Sequence, residues 1–498
     1  MHDTETLRRA AATTLMPGFT GTVLPAWLET RLRAGLGAVC VFGENIVSPA
    51  QLRALTDSIY AANPDALIAI DEEGGDVTRL HYEDGSPLPG NAILGRLDDL
   101  AYTEELGRRI GVDLRETGVN LNFAPDADIN SNSNNPVIGV RSFGTSPAAV
   151  GDQVAAWTRG LQSVGVAACA KHFPGHGDTA EDSHHALPVV DRSLAELRER
   201  ELVPFVAAIA AGTKSIMSSH IMLPQLDAER PATLSRTILQ GLLREDLGYD
   251  GVIISDALDM TGASGEIGIP EAAARAIDAG CDLLCIGTRN TDEQLETIED
   301  AILAAIEDGR LSAERVLDAA ARVVALAADL RDEQRVSPVS PSTDSFEADA
   351  ARARDAFDIR PGVAPLLSAA TALQLIVLDD FPNVAIGHVP WGIEAELASE
   401  PARYADTLLG HGVLPRDAAL EDDALVVFVG RNIHRYPASR ELVDRVRGER
   451  HTVMVVDMGW PSDDRRYADV ATFGASRLVG RALASYLLGP SSAQGSHA

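Results

Sequence analysis

Short apolar runs punctuate the first two thirds of the chain, separated by stretches with the period of an amphipathic helix. The runs are AVCVFG (38–43), ALIAID (66–71), VNLNFAP (119–125), VAACAKHF (166–173), KSIMSSH (214–220), GVIISDA (251–257) and CDLLCIG (281–287). Apolar bodies of that length suit strands buried on both faces, while PAAVGDQVAAWTRGLQSVG and LAELRERELVPFVAAIAAG between them read as helices. Strands alternating with helices predict parallel βα units. Seven are evident, and TTLMPGF near residue 15 supplies an eighth. Eight units over roughly 330 residues predict a (β/α)8 TIM-like barrel rather than an open sheet.

Pro/Ser punctuation in RVSPVSPSTDS (335–345) marks a break. Beyond it LQLIVLDD (373–380), ALVVFVG (424–430) and TVMVVDMG (452–459) again alternate with helical stretches, and the pattern ends with RLVGRALASYLLG. This predicts a second, smaller α/β domain. The expected boundaries are a barrel over 1–334, a linker over 335–370, the second domain over 371–492 and a disordered tail over 493–498. No G-x-G-x-x-G follows the first strand of the second domain, which disfavours a dinucleotide role.

Composition narrows the partners. Hydrophobic residues at 45% and charged residues at 23% are ordinary for a globular protein, but the net charge of −31 makes nucleic acid or an anionic membrane surface a poor partner. No stretch approaches the ~18 apolar residues that span a bilayer. The start MHDTETLRRAAATTLMPGF lacks an apolar core followed by a cleavage site, so a cytoplasmic location is expected. Cys40, Cys169, Cys281 and Cys285 lie in or beside apolar runs and read as buried thiols rather than disulfides or zinc ligands.

A barrel should carry its chemistry where the strands end. Those ends read Asp71-Glu72-Glu73-Gly74-Gly75, Pro125-Asp126, Lys171-His172, Ser219-His220 and Ser255-Asp256. Ionisable groups at one end of several apolar strands are hard to explain as packing. Within KHFPGHGDTAEDSHH (171–185) three chemistries compete. His172 and His176 have metal-ligand spacing only on a helix, which Pro174, Gly175 and Gly177 oppose. The same glycines with Lys171 lack the spacing of a phosphate loop. Asp182-Ser183-His184 sets a carboxylate two residues from an imidazole, an arrangement suited to proton transfer. Asp256, at the end of a wholly apolar strand, gives such a pair a carboxylate to work against, the minimal equipment for glycoside cleavage.

These motifs, with NFAPDADINSNSNNPVIGVRSFG (122–144), IDEEGG (70–75), SSHIMLPQLD (218–227) and PATLSRTILQGLLREDLGYDGVIISDALDM (231–260), resemble bacterial β-N-acetylglucosaminidases of glycoside hydrolase family 3, two-domain type. The resemblance covers most of residues 10–330, and the tail, with DMGWP and TFGASRLVGRALASYLLG, is similar to the α/β/α sandwich of the two-domain members. It implies a retaining exo-acting hydrolase that removes terminal β-linked N-acetylglucosamine from peptidoglycan or chitin fragments. Asp256 matches the nucleophile, and Asp182 with His184 matches the acid/base dyad. Asp71, Arg79, Arg141, Lys171 and His172 match positions that hold the sugar. No cofactor and no metal are implied. Because neutral His184 would not repel an anionic acceptor, phosphorolysis with inorganic phosphate is the alternative reaction. An inactive sugar-binding barrel and a metallohydrolase are the other readings. The chain departs from the family's D-Q-E-G-G-R at Glu72 and Asp76, and carries Asp126 where an apolar residue is usual. His176 and His185 receive no role.

Overall fold

The computed structural model describes residues 3–179, 187–265, 267–337, 346–370, 373–378, 385–399, 409–410, 424–449 and 452–488. The chain groups into two compact units. The first is Met1–Glu73, Asp99–Ile138 and Ser142–Ser342; the second is Gly74–Asp98, Gly139–Arg141 and Thr343–Ala498.

The first unit is a nearly closed barrel. Its strands are β1 (Leu15–Pro17), β2 (Ala38–Val41), β3 (Leu67–Ile70), β4 (Leu121–Asn122), β5 (Ala167–Phe173), β6 (Ser215–Ser218), β7 (Val252–Ser255) and β8 (Leu283–Gly287). They pair in the order β1-β8-β7-β6-β5-β4-β3-β2, every pair parallel. Alternate residues of each strand point to opposite faces, so one set fills the interior while the other meets the surrounding helices. Ala38 and Cys40, Leu67 and Ala69, Leu121 and Phe123, Ala167 and Cys169, Val252 and Ile254, and Leu283 and Cys285 form one buried cluster. Val323, Leu326, Ala327 and Leu330 of the helix Ala313–Val336 join it. All four cysteines are buried thiols, none of them in a disulfide. Burial pushes the thiols of Cys169 and Cys281 up to about 12.

Local sequence starts the helices that hold this sheet. Ser48 accepts from the Gln51 amide ahead of Pro49–Ala62, with proline at the first helical position, and Thr291 and Ser312 cap Asp292–Glu307 and Ala313–Val336 in the same way. The strands accordingly end together. Asp71 follows β3, Lys171 and His172 sit late in β5, and Asp256 follows β7.

The second unit is built on a six-stranded sheet of β9 (Asp358–Ile359), β10 (Leu373–Val377), β11 (Leu409–Gly410), β12 (Leu425–Gly430), β13 (Val453–Asp457) and β14 (Val470–Ala471). The order is β11-β10-β12-β13-β14-β9, parallel except for β9. Leu375, Val377, Val427, Val429, Met454 and Val456 pack on one face with the helices Phe346–Asp355, Gly392–Ser399 and Arg477–Leu488. Ile376, Val426, Phe428 and Val455 pack on the other with Val443 and Val446 of Pro437–Glu449. This is an α/β/α sandwich. Residues 346–369, within the stretch expected as linker, form two helices and β9 of this unit. No described helix is long and apolar enough to cross a membrane.

Candidate active site

Lys171 and His172 leave the end of β5, and each is met by a carboxylate that is itself buried. The Lys171 ammonium lies 2.6 Å from Asp71 Oδ1 and 2.8 Å from Glu73 Oε1. An ammonium as buried as this one costs several kcal/mol to strip of water, and two carboxylates offset that cost. The two acids are not equivalent, because the Glu73 side chain is 2% exposed and Asp71 22%. Glu73 is committed to Lys171, whereas Asp71 retains a face on which to meet a ligand.

His172 is held by Asp128, a residue whose own carboxylate is fully buried. Asp128 Oδ2 lies 2.7 Å from His172 Nδ1, and Oδ1 accepts the backbone N–H of His176 at 2.6 Å and of His172 at 3.3 Å. Burial pulls the Asp128 carboxyl upward, but the His172 charge and hydrogen bond, with His176, outweigh it and hold it below 3.8. His176 is different. Burial pushes its imidazole down to about 4 against the opposing charge of Asp128, so it is neutral near pH 7. Its Nδ1 meets Thr179 Oγ1 at 2.9 Å, and its ring packs edge-on against His172 with centroids 6.0 Å apart.

The glycines of this turn answer to space rather than to phosphate. A Cβ on Gly177 would fall 1.6 Å from the Ile129 carbonyl oxygen. Asn135 Nδ2 donates to the carbonyls of His176 and Gly177, at 2.9 and 3.1 Å, and fixes the same turn from the other side. Asp126 is also buried, and its Oδ1 accepts the Asp128 amide at 2.9 Å, orienting the residue that holds His172. Among the described residues, Asp126, Asp128 and His172 have ligand atoms within 4.8 Å of one another, the spacing of a cation site. The three donors on Asp128 already satisfy both its oxygens.

On the far strands, His220 spends both ring nitrogens, on Thr233 Oγ1 at 2.9 Å and on the Ala257 carbonyl at 3.0 Å. It thereby fixes the backbone beside Asp256. Asp256 is partly exposed and accepts the Ala257 amide at 2.8 Å. Its charge also acts on His176 and Cys169, which brings β7's carboxylate into the field of β5's end.

The structure thus brings Asp71 and Lys171 into direct contact and sets His172 and Asp256 at the same strand ends. Asp182 and His184 lie outside the described residues. Arg79 and Arg141 belong to the second unit. There Arg79 Nη2 donates to the Ala385 carbonyl at 2.7 Å, and the Arg141 carbonyl accepts Asn91 Nδ2 at 2.7 Å. Asp76, in the same unit, accepts the Ala475 amide at 2.7 Å and lies 3.7 Å from Arg431. Burial raises its carboxyl despite that guanidinium. Sequence reasoning missed Asp128 and Glu73. The second acid of FAPDADIN and the third of IDEE were legible as acids just past strand ends, but nothing in the sequence names their partners.

Residues 26–326 match the model of the glycosyl hydrolase family 3 N terminal domain. The chain is 34% identical over 403 residues to a protein named beta-hexosaminidase A from Pseudoalteromonas piscicida, an alignment spanning 74% of this chain and 66% of that one. A solved family 3 β-N-acetylglucosaminidase from Paenibacillus sp. str. FPU-7 superposes with a TM-score of 0.83 at 31% identity, over 98% of both chains. The β-glucoside phosphorylase BglX superposes with a TM-score of 0.78 over 99% of this chain and 94% of its own, and at 21% identity that likeness is one of fold alone.

Proposed function

The chain belongs to glycosyl hydrolase family 3, and from that premise we propose that it is a retaining, exo-acting β-N-acetylglucosaminidase. In this reading it removes terminal β-linked N-acetylglucosamine from peptidoglycan or chitin fragments in the cytoplasm. The observation that carries the reading is the pairing of Lys171 with Asp71 at the same end of the barrel as Asp256. Asp71 offers acceptor oxygens and Lys171 donors to adjacent sugar hydroxyls, which fixes the ring. A fixed ring lets a strand-end carboxylate approach the anomeric carbon along one line.

Asp256 attacks that carbon as the bond to the leaving oxygen breaks, and His184, oriented by Asp182, protonates the oxygen. A glycosyl ester of Asp256 results. The now neutral His184 takes a proton from water, whose oxygen attacks the same carbon and frees Asp256, so two inversions give net retention.

The test is the product formed from p-nitrophenyl β-N-acetylglucosaminide, against the β-glucoside, with and without inorganic phosphate. Free N-acetylglucosamine at every phosphate concentration is expected. N-acetylglucosamine 1-phosphate would assign the enzyme to phosphorolysis, and no release from either glycoside would leave a binding protein. Asp256→Asn should abolish turnover while sugar binding persists.

A further inference from the structure

Three hydrogen bonds converge on one buried carboxylate that no sequence motif singled out. Asp128 takes the His172 ring, the His172 amide and the His176 amide, at 2.7, 3.3 and 2.6 Å. The two backbone contacts fix the ends of the turn His172–His176. The ring contact does something a structural contact would not. An ionised carboxylate accepts, so His172 Nδ1 must carry the proton, and this fixes the tautomer and the orientation of the ring. We infer that Asp128 is a positioning residue of the glycosidase site, holding the His172 ring with Nδ1–H toward itself and so setting the orientation in which it meets the sugar.

This inference rests on the reading of His172 as a sugar-binding residue. It parallels the other half of the pair, because Glu73 backs Lys171 as Asp128 backs His172. Asp126, through its 2.9 Å bond to the Asp128 amide, fixes the carboxylate in turn. That chain of contacts gives a reason for an acid at position 126.

The experiment is 15N–1H spectroscopy of the histidine rings in the full-length enzyme without substrate, with His172→Gln used to assign the signal. A proton on His172 Nδ1 is expected, and a bare Nδ1 with the proton on Nε2 would overturn the inference. Asp128→Asn keeps the volume but offers the ring an amide donor, so the proton should move to Nε2. Its kcat/KM on p-nitrophenyl β-N-acetylglucosaminide should fall about 100-fold, with KM taking a clear share, as when a charge-assisted bond behind a binding imidazole is exchanged for a neutral one. Asp128→Glu should restore the Nδ1 proton and part of the activity. A variant Asp128→Asn with an unmoved proton and kcat/KM within twofold of the parent would refute the role. The tautomer is read without turnover, so it tests Asp128 even if the enzyme proves inactive on this glycoside; failure of the function and failure of the inference remain separate results.

Discussion

His176 makes a quantitative test of the strand-end electrostatics, because its imidazole is buried and its folded value has moved from 6.5 to about 4. Burial is the larger cause, and the neighbouring Asp128 charge only partly opposes it. Between pH 4 and 6.5 the unfolded chain protonates this ring while the folded chain does not. The folded state therefore binds fewer protons, and its stability must rise with pH across that window. The contribution is fully present above pH 6.5 and is lost as the pH falls toward 4. At about 1.4 kcal/mol per pH unit the whole interval amounts to about 3 kcal/mol, of which roughly 2–3 kcal/mol is already lost at pH 4.5. His176→Gln removes the titration, while the glutamine oxygen can still accept from Thr179 Oγ1. Urea unfolding at pH 7 and pH 4.5 gives the change for each protein, and the parent should lose about 2–3 kcal/mol more than the variant. Asp128, held below 3.8, stays ionised at both pH values and does not confuse the comparison. Equal losses in parent and variant would mean that His176 is not the buried, neutral group described.

Glu73→Gln should remove one of the two carboxylates that hold Lys171, destabilise the protein by about 3 kcal/mol by breaking a buried pair, and raise KM as Asp71 is drawn off the sugar; urea midpoints and steady-state kinetics read the two effects. Gly177→Ala should cost about 3 kcal/mol or more, because its methyl group meets the Ile129 carbonyl, and thermal unfolding would show it. Native protein at pH 8 should resist iodoacetamide at Cys169 and Cys281, whose thiols sit near 12, with all four cysteines labelled after urea; mass spectrometry of the native adduct decides. Exhaustive EDTA treatment should leave glycosidase activity intact, and restoration of lost activity by a divalent cation would instead implicate Asp126, Asp128 and His172.

The barrel was legible because parallel strands covered on both faces are written in continuous apolar residues, as in GVIISDA and CDLLCIG. Strand lengths were less so. The run 119–125 yields a β4 of only Leu121–Asn122, since Pro125 has no N–H to give the ladder and Asn122 turns its side chain to the Glu72 backbone. In the second unit β9, β11 and β14 are two residues each, too short for any periodicity to declare. The Pro/Ser punctuation truly ends by 345, and FEADAARARD beyond it is a helix whose Ala350 and Ala353 enter the core. Residues 74–98 group with the second unit although the sequence sets them between two barrel strands. Asp128 was invisible for a similar reason: its partner stands 44 residues away, and only the parallel pairing of β4 with β5 brings the two strand ends together.

The same strand ends bear on the choice of acceptor. In the proposed reaction a neutral His184 would remove one obstacle to phosphate, but the acids at the strand ends supply another. Among the described residues the strand ends carry Asp71, Glu73, Asp126, Asp128 and Asp256. Lys171 is spent on two of these acids, His172 on a third, and His176 is neutral. In the proposed reaction a neutral sugar would meet both donors and acceptors there. An inorganic phosphate dianion would enter a field with more carboxylates than cations, where repulsion at short range and low dielectric amounts to several kcal/mol. Water carries no such penalty and is present at far higher concentration. Hydrolysis is therefore the outcome that the proposed function expects from the charges that hold Lys171 and His172 in place.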